Sequence, residues 1–226
     1  MRLRSTIWFA VATIVVAAAD VPARQSETAT VQRIDLAERL SAGKLRIVNR
    51  EVTKAADKPG AIHVSEATDV GLVWINGTDF AEGTIEIELR GRDMQQRSFL
   101  GIAFHGQNDT TYESVYLRPF NFRTTDEARR QHAVQYMSVP DFDWSMLRQK
   151  FPEEFENPVD ASLEPTGWVP LRVVVKGNAV QIYAGTPKSP ALEVRKLGQL
   201  QRGIIGLWVG TASDGDFANL RITPAK

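Results

Sequence analysis

The chain has 226 residues, 43% of them hydrophobic and 24% charged, and its 27 basic and 27 acidic side chains cancel. That balance excludes a mostly disordered tail or a collagen-like fibre, and zero net charge leaves no electrostatic footprint for nucleic acid. There is no cysteine, so no disulfide and no thiolate metal site can form, and stability must come from the core alone.

Residues 1–23 read as a secretory signal. Arg2 and Arg4 precede an uncharged apolar run from Ile7 to Ala19, and Ala17-Ala18-Ala19 or Val21-Pro22-Ala23 offers a small-residue cleavage site. The run is shorter than the roughly 20 residues a spanning helix needs. Cleavage is therefore expected, leaving no transmembrane segment and an exported protein, secreted or periplasmic. Export without cysteine has a bacterial character. Residues 24–44 read as a lead-in, in which Val31 to Leu40 fits a helix or an alternating strand about equally.

From residue 45 onward the signal is short apolar runs punctuated by turns. Strands are expected over 45–52, 60–65 and 70–75. The plainest is Thr84 to Arg90, where Ile85, Ile87 and Leu89 alternate with Glu86, Glu88 and Arg90. Next, in 98–105, Leu100, Ile102 and Phe104 alternate with Gly101, Ala103 and His105. In 112–118, Val115 and Leu117 share one side, and Tyr112, Ser114, Tyr116 and Arg118 the other. Further strands are expected at 132–137, 171–175, 179–183, 204–209 and 217–222, with Lys176-Gly177-Asn178 as a hairpin turn. The expected fold is all-β, a jelly-roll sandwich of two antiparallel sheets filling residues 45–226. Residues 139–167 break the rhythm with four prolines and a short helical pattern at Trp144 to Leu147. Such an insertion serves as a lid, a binding loop or a packed cover; here it is expected to wall a cleft.

The side of the 98–105 and 112–118 strands away from the core carries His105, Tyr112, Tyr116 and Arg118, with Gly101 and Ala103 leaving room between them. Aromatic rings stack on the C–H face of a sugar, and Arg or His donates to its hydroxyls. The same residues would also suit a face packed beneath the insertion. Asn121, Arg123, His132 and Gln135 lie close by in sequence, and Trp144 is the tryptophan expected to meet a ligand. Trp74 and Trp208, inside apolar runs, are expected in the core. Glu113 falls on the core side of its strand, where a buried carboxylate needs a partner. Glu86 and Glu88 have the spacing of a glycosidase pair, but a solvated strand face explains them as well. Asp214-Gly215-Asp216 and Asp141-x-Asp143 keep a structural calcium in view without the ligand density it requires; no other cofactor is expected. Neither a nucleophile elbow nor a phosphate-binding glycine loop occurs.

Several stretches together resemble a known group. Gly71-Leu72-Val73-Trp74, Phe80-x-x-Gly83-Thr84-Ile85-Glu86, Phe99 to His105, Tyr112 to Pro119, and the tail from Trp168 to Leu220 are similar to the concanavalin A-like jelly rolls. Their order resembles the 3-keto-disaccharide hydrolase domain family, and also laminin G-like and other lectin sandwiches. The resemblance covers about residues 45–223. It implies an exported sandwich acting on glycans at the concave face of one sheet. His105 stands where that family often has Arg, Tyr112-Glu113 retains its Tyr-Glu pair, and the segment 120–167 is longer than its core.

Two functions follow as expectations. One is cleavage of glycosides, 3-keto-glycosides in particular, with His105 or Glu113 as base and Arg118 stabilising developing charge. The other is glycan binding without catalysis, using Tyr112, Tyr116, Trp144 and Arg118. The ligand in either case is a carbohydrate or glycoside.

Overall fold

The computed structural model describes residues 30–225. The expected signal, residues 1–23, lies outside them. The chain opens with β1 (Gln32–Ile34) and α1 (Leu36–Ser41), followed by β2 (Leu45–Val48), β3 (Val52–Lys54), β4 (Ile62–Val64) and β5 (Gly71–Ile75). Then come β6 (Gly83–Arg90), β7 (Leu100–Asn108), β8 (Thr111–Leu117), α2 (Glu127–Arg130) and β9 (Val134–Val139). The insertion contributes α3 (Trp144–Lys150) and the two-residue β10 (Glu156–Asn157). The chain closes with β11 (Val169–Lys176), β12 (Ala179–Ala184), β13 (Leu192–Arg195), β14 (Ile204–Val209) and β15 (Gly215–Pro224).

These strands form two antiparallel sheets, the jelly-roll sandwich that the alternating runs imply. One sheet has the order β13-β12-β11-β6-β15-β4-β3, with β1 added along β15. The other runs β10-β9-β8-β7-β14-β5-β2. Ile85, Ile87 and Leu89 of β6, with Leu171, Val173 and Val175 of β11, meet Leu100, Ile102, Val115 and Leu207 of the second sheet in one core. Burial of that apolar area is the main stabilising term.

The expected lead-in is part of the sandwich. Ile34 pairs with Leu220 and, like Leu36, is buried. Residues 32–41 resolve into a strand and a helix because Asp35 ends the first and caps the second, its carboxylate accepting from the Glu38 amide at 2.8 Å. Asp143 does the same for α3, accepting from the Met146 amide at 2.8 Å. Asp216 is engaged by Arg90 and His63, and Asp214 lies 2.7 Å from Arg92 Nε. The four aspartates that kept calcium in view thus have three of their number committed to other partners. Among the described residues no helix is long and apolar enough to cross a membrane.

The two sheets differ in one respect that fixes where a site can lie. On β6 and β11 the residues between the core positions are half-buried, so one face meets water. On β7, β8, β9 and β14 nearly every residue is buried. The outer face of that sheet is paved with rings. Trp208 lies against Tyr116 with centroids 4.5 Å apart, and its indole N–H donates to the Tyr112 hydroxyl at 3.2 Å. Trp74 meets Tyr112 edge-on at 5.8 Å. Glycine is required beneath them: a Cβ on Gly206 would stand 2.7 Å from the Trp74 ring. Trp74 and Trp208 are buried as expected, but on this outer face and not between the sheets.

Candidate functional site

All the sequence-derived site residues but Arg123 divide between two clusters on opposite sides of the seven-stranded sheet. His105 and Glu113 belong to the interior. The alternation in β7 places His105 outward with Gly101 and Ala103. Instead, the register against β8 slips between Phe104 and Asn108, and His105 takes a left-handed φ of 51°. This bulge turns the imidazole inward. Its Nδ1 meets Glu113 Oε2, and its Nε2 donates to the Ala81 carbonyl at 2.7 Å. The Tyr136 hydroxyl donates to Glu113 Oε1, and Lys196 Nζ lies 3.7 Å from Oε2 while donating to the Leu200 carbonyl at 2.7 Å. Burial, with Glu113 beside it, pushes the Tyr136 phenol well above its ordinary range. His105 and Glu113 are fully buried, so the outward placement expected for His105 is corrected, and this cluster meets no solvent.

Arg118, Asn121, His132, Gln135 and Trp144 come together on the outer face, at the β8–β9–β10 edge. Arg118, which follows β8, is 5% exposed. It donates to the Tyr116 hydroxyl at 2.9 Å, to Gln135 Oε1 at 2.7 Å and to the His132 carbonyl at 2.7 Å. Burial lowers its pKa, against the pull of Tyr116 and Glu156. Glu156, paired through β10 with Gln135, is 2% exposed and gathers cations. Arg148 of α3 grips it with two hydrogen bonds of 2.9 and 2.8 Å, Arg118 lies 3.7 Å away, and His132 Nδ1 lies 2.7 Å from Oε2, off the line of a good hydrogen bond. The same Arg148 guanidinium sits 5.3 Å from the Trp144 ring centroid, a cation–π contact. Trp144 itself is 49% exposed. One chain of contacts therefore runs from the buried arginine to an open indole.

Four polar atoms along this face have no hydrogen-bond partner among the described residues: Ser114 Oγ, Asn121 Oδ1, Gln135 Nε2 and, close to Glu156 but misaligned, His132 Nδ1. A buried donor or acceptor left unpaired costs about 1–3 kcal/mol. Such atoms are sites where a ligand hydroxyl or a water regains hydrogen bonds.

Tyr112 and Tyr116, expected to offer their rings to a ligand, are 4% and 2% exposed. Their neighbours Trp74 and Trp208 occupy that space. Arg123 is drawn elsewhere, pairing with Glu164 at 2.6 Å and with the Ser162 carbonyl at 3.0 Å. It ties the β8–β9 connection to the insertion. The residues missed from sequence are Arg148, Glu156 and, in the interior, Lys196. An Arg eight positions before a Glu in a proline-broken segment carries no periodic signal; only the pairing of β10 with β9 brings them together.

His132 gives the site a pH dependence. Burial holds its pKa below the ordinary 6.5, with Glu156 opposing that shift. Between the depressed value and 6.5 the unfolded chain takes up the proton and the folded chain does not, so stability rises with pH across that window. The contribution is complete above 6.5 and is lost as pH falls through the folded-state value. His132→Gln is expected to flatten the pH dependence of urea-unfolding free energy below 6.5. A slope unchanged in the variant would assign it to another group.

No family model matches the chain, and no curated protein matches it either. Solved structures do. The carbohydrate-binding module CBM66 from Bacillus subtilis superposes with a TM-score of 0.56 at 12% identity, over 80% of this chain and 96% of that one. A Bacillus subtilis protein of unknown function with a galectin-like fold gives 0.58 at 12% identity, over 85% and 94%. The exoplasmic/lumenal domain of VIP36, in its Ca2+/Man3GlcNAc-bound form, gives 0.53 at 10% identity, over 81% and 84%. At these identities the likeness establishes the jelly-roll fold.

Proposed function

We propose that this chain is an exported carbohydrate-binding protein whose site is the outer face of the seven-stranded sheet, at the edge carrying Trp144. The observation that carries the reading is the exposed Trp144 indole, held by Arg148 and continuous with the unpaired amide atoms of Gln135 and Asn121. An indole offers an apolar plane to the C–H face of a pyranose. Beside it, Arg148 and His132 are partly exposed and suit the ring's hydroxyls. Of the solved structures with this fold, one is described as a carbohydrate-binding module and another as a lumenal domain in a Man3GlcNAc-bound form, which supports the same class of ligand here. Expectation and test are direct: calorimetric titration with a panel of oligosaccharides should find a binder, and Trp144→Ala should weaken it at least tenfold, about 1.4 kcal/mol. Affinity unchanged in that variant would remove this face from the reading.

Glycoside cleavage, with membership of the 3-keto-disaccharide hydrolase family, is a second reading with one observation in its favour. His132 is 26% exposed, with the buried Glu156 carboxylate 2.7 Å from its Nδ1, which sets a negative charge beside a candidate base. In that reading His132 replaces the buried His105 and Glu113 as the base that removes the C2 proton of a 3-keto-glycoside. Arg148, in place of the buried Arg118, faces the ketone oxygen as the enolate forms, and collapse of the enolate breaks the C1–O bond, the departing oxygen taking the proton from His132. Mass spectrometry of 3-keto-glycosides and their unoxidised parents, incubated with the protein, decides it. Cleavage of the keto forms that stops in His132→Ala would support the enzyme; intact substrates would leave binding alone.

A further inference from the structure

The solvent face of the eight-stranded sheet carries a groove that the Trp144 face does not use. Glu86 of β6 sits in register between Arg172 of β11 and Arg221 of β15. Opposite charges facing one another across strands ordinarily attract and close together. Among the described residues, neither arginine comes within 4.0 Å of a carboxylate. Arg172 lies instead over Tyr183, its guanidinium carbon 3.7 Å from the ring centroid. The three charged side chains stand apart around a depression of about 340 Å³, walled by Pro170 and Pro187.

A second depression, of about 200 Å³, shares Asn219 and Arg221 with the first and continues past Arg33. The two adjoin at Asn219 and Arg221, and Arg172, Glu86, Arg221 and Arg33 stand in one register row across β11, β6, β15 and β1. Asn219 sits at the left-handed bulge of β15, and Glu88, which also lines the first depression, is paired with Lys58. What is left in the groove is three guanidiniums, of Arg33, Arg172 and Arg221, against two carboxylates, of Glu86 and Asp35.

We propose that this groove is a second binding site, taking an acidic oligosaccharide with carboxylate groups of the uronate type. A row of charges spanning four strands suits a chain and not a compact molecule. The planar fork of an arginine matches a carboxylate with two parallel hydrogen bonds, and two such forks flank Glu86, whose carboxylate is suited to accept from sugar hydroxyls. A polynucleotide fits less well, because its unbroken line of phosphates would run over Glu86 and Asp35. The site stands independently of the reading given for Trp144.

The test is titration of a galacturonate hexasaccharide into the whole protein, alongside maltohexaose and a single-stranded oligonucleotide. The hexagalacturonate should bind, and its affinity should fall as NaCl rises from about 50 mM to about 500 mM, as for partly exposed charges. The double variant Arg172→Ala/Arg221→Ala should lose at least tenfold in affinity while its far-UV circular dichroism and melting temperature stay those of the wild type. Trp144→Ala should bind the hexagalacturonate unchanged. No binding, equal binding of maltohexaose, tighter binding of the oligonucleotide, or loss in Trp144→Ala with retention in the arginine variant would each overturn the proposal.

Discussion

Glu113→Ala is expected to lower the unfolding free energy by about 3–5 kcal/mol, the range for removing one partner of a buried charge pair. Its carboxylate is fully buried and is touched by the His105 ring, the Tyr136 hydroxyl and, at 3.7 Å, Lys196. Taking it away leaves Lys196 with the Leu200 carbonyl alone and strands a buried ammonium. Lys196→Met should be costly for the reciprocal reason. The double variant Glu113→Leu/Lys196→Met should lose less than the sum of its parts, since no unpaired charge remains and the core gains apolar volume. Urea unfolding of Glu113→Leu, Lys196→Met and the double closes the cycle. Strict additivity would mean that the ion pair contributes nothing to the fold. The cluster also bears on function. Its members touch β7, β8, β9 and the β13–β14 connection, so they hold the connection between the two sheets against the seven-stranded sheet, beside whose β9–β10 edge α3 presents Trp144. His105 and Glu113 therefore act through architecture: their loss should be read first in stability, with any change of ligand affinity following from it.

The architecture was legible where one sheet face meets water. Thr84 to Arg90 alternates cleanly because Glu86, Glu88 and Arg90 lie on the solvent side of β6, and the positions of β11, β12 and β15 follow the same logic. It was less legible where both faces are buried. On β7 and β8 a period of two separates the faces but does not say which is the core, and the paving of Trp74, Trp208, Tyr112 and Tyr116 reads as ligand-facing when it is mutual packing. His105 shows a sharper limit. Nothing but a backbone bulge reverses its direction, and a histidine at positive φ leaves no glycine-like mark in the sequence. Trp144 was singled out as a tryptophan in a polar segment, and it is exposed. Glu156 was not, because its neighbours in space, Arg148, His132 and Arg118, come from three other elements, and the two-residue strand that delivers it is too short for any pattern.

That same residue carries the strongest expectation for the outer face. Glu156→Gln should weaken the proposed glycan binding at least tenfold, about 1.4 kcal/mol, and lower stability by about 3 kcal/mol. Both follow from one loss of charge. In the folded chain Glu156 receives two hydrogen bonds from Arg148 and lies within 3.7 Å of Arg118 and 2.7 Å of His132. Arg118 is almost wholly buried, and without that carboxylate its charge has only neutral acceptors. Arg148, released, no longer holds its place over the Trp144 ring, so the indole loses the contact that orients it. The imidazole supplies a readout that mere unfolding would not move. Glu156 now raises the His132 pKa against the larger effect of burial, so the variant's His132 should titrate lower still, as followed by NMR of the ring protons. A His132 that titrates unchanged would place Glu156 outside its field. Weak binding with an unshifted His132 and unaltered stability would mean that the carboxylate meets the ligand itself and does not act by holding Arg148 and Arg118 in place.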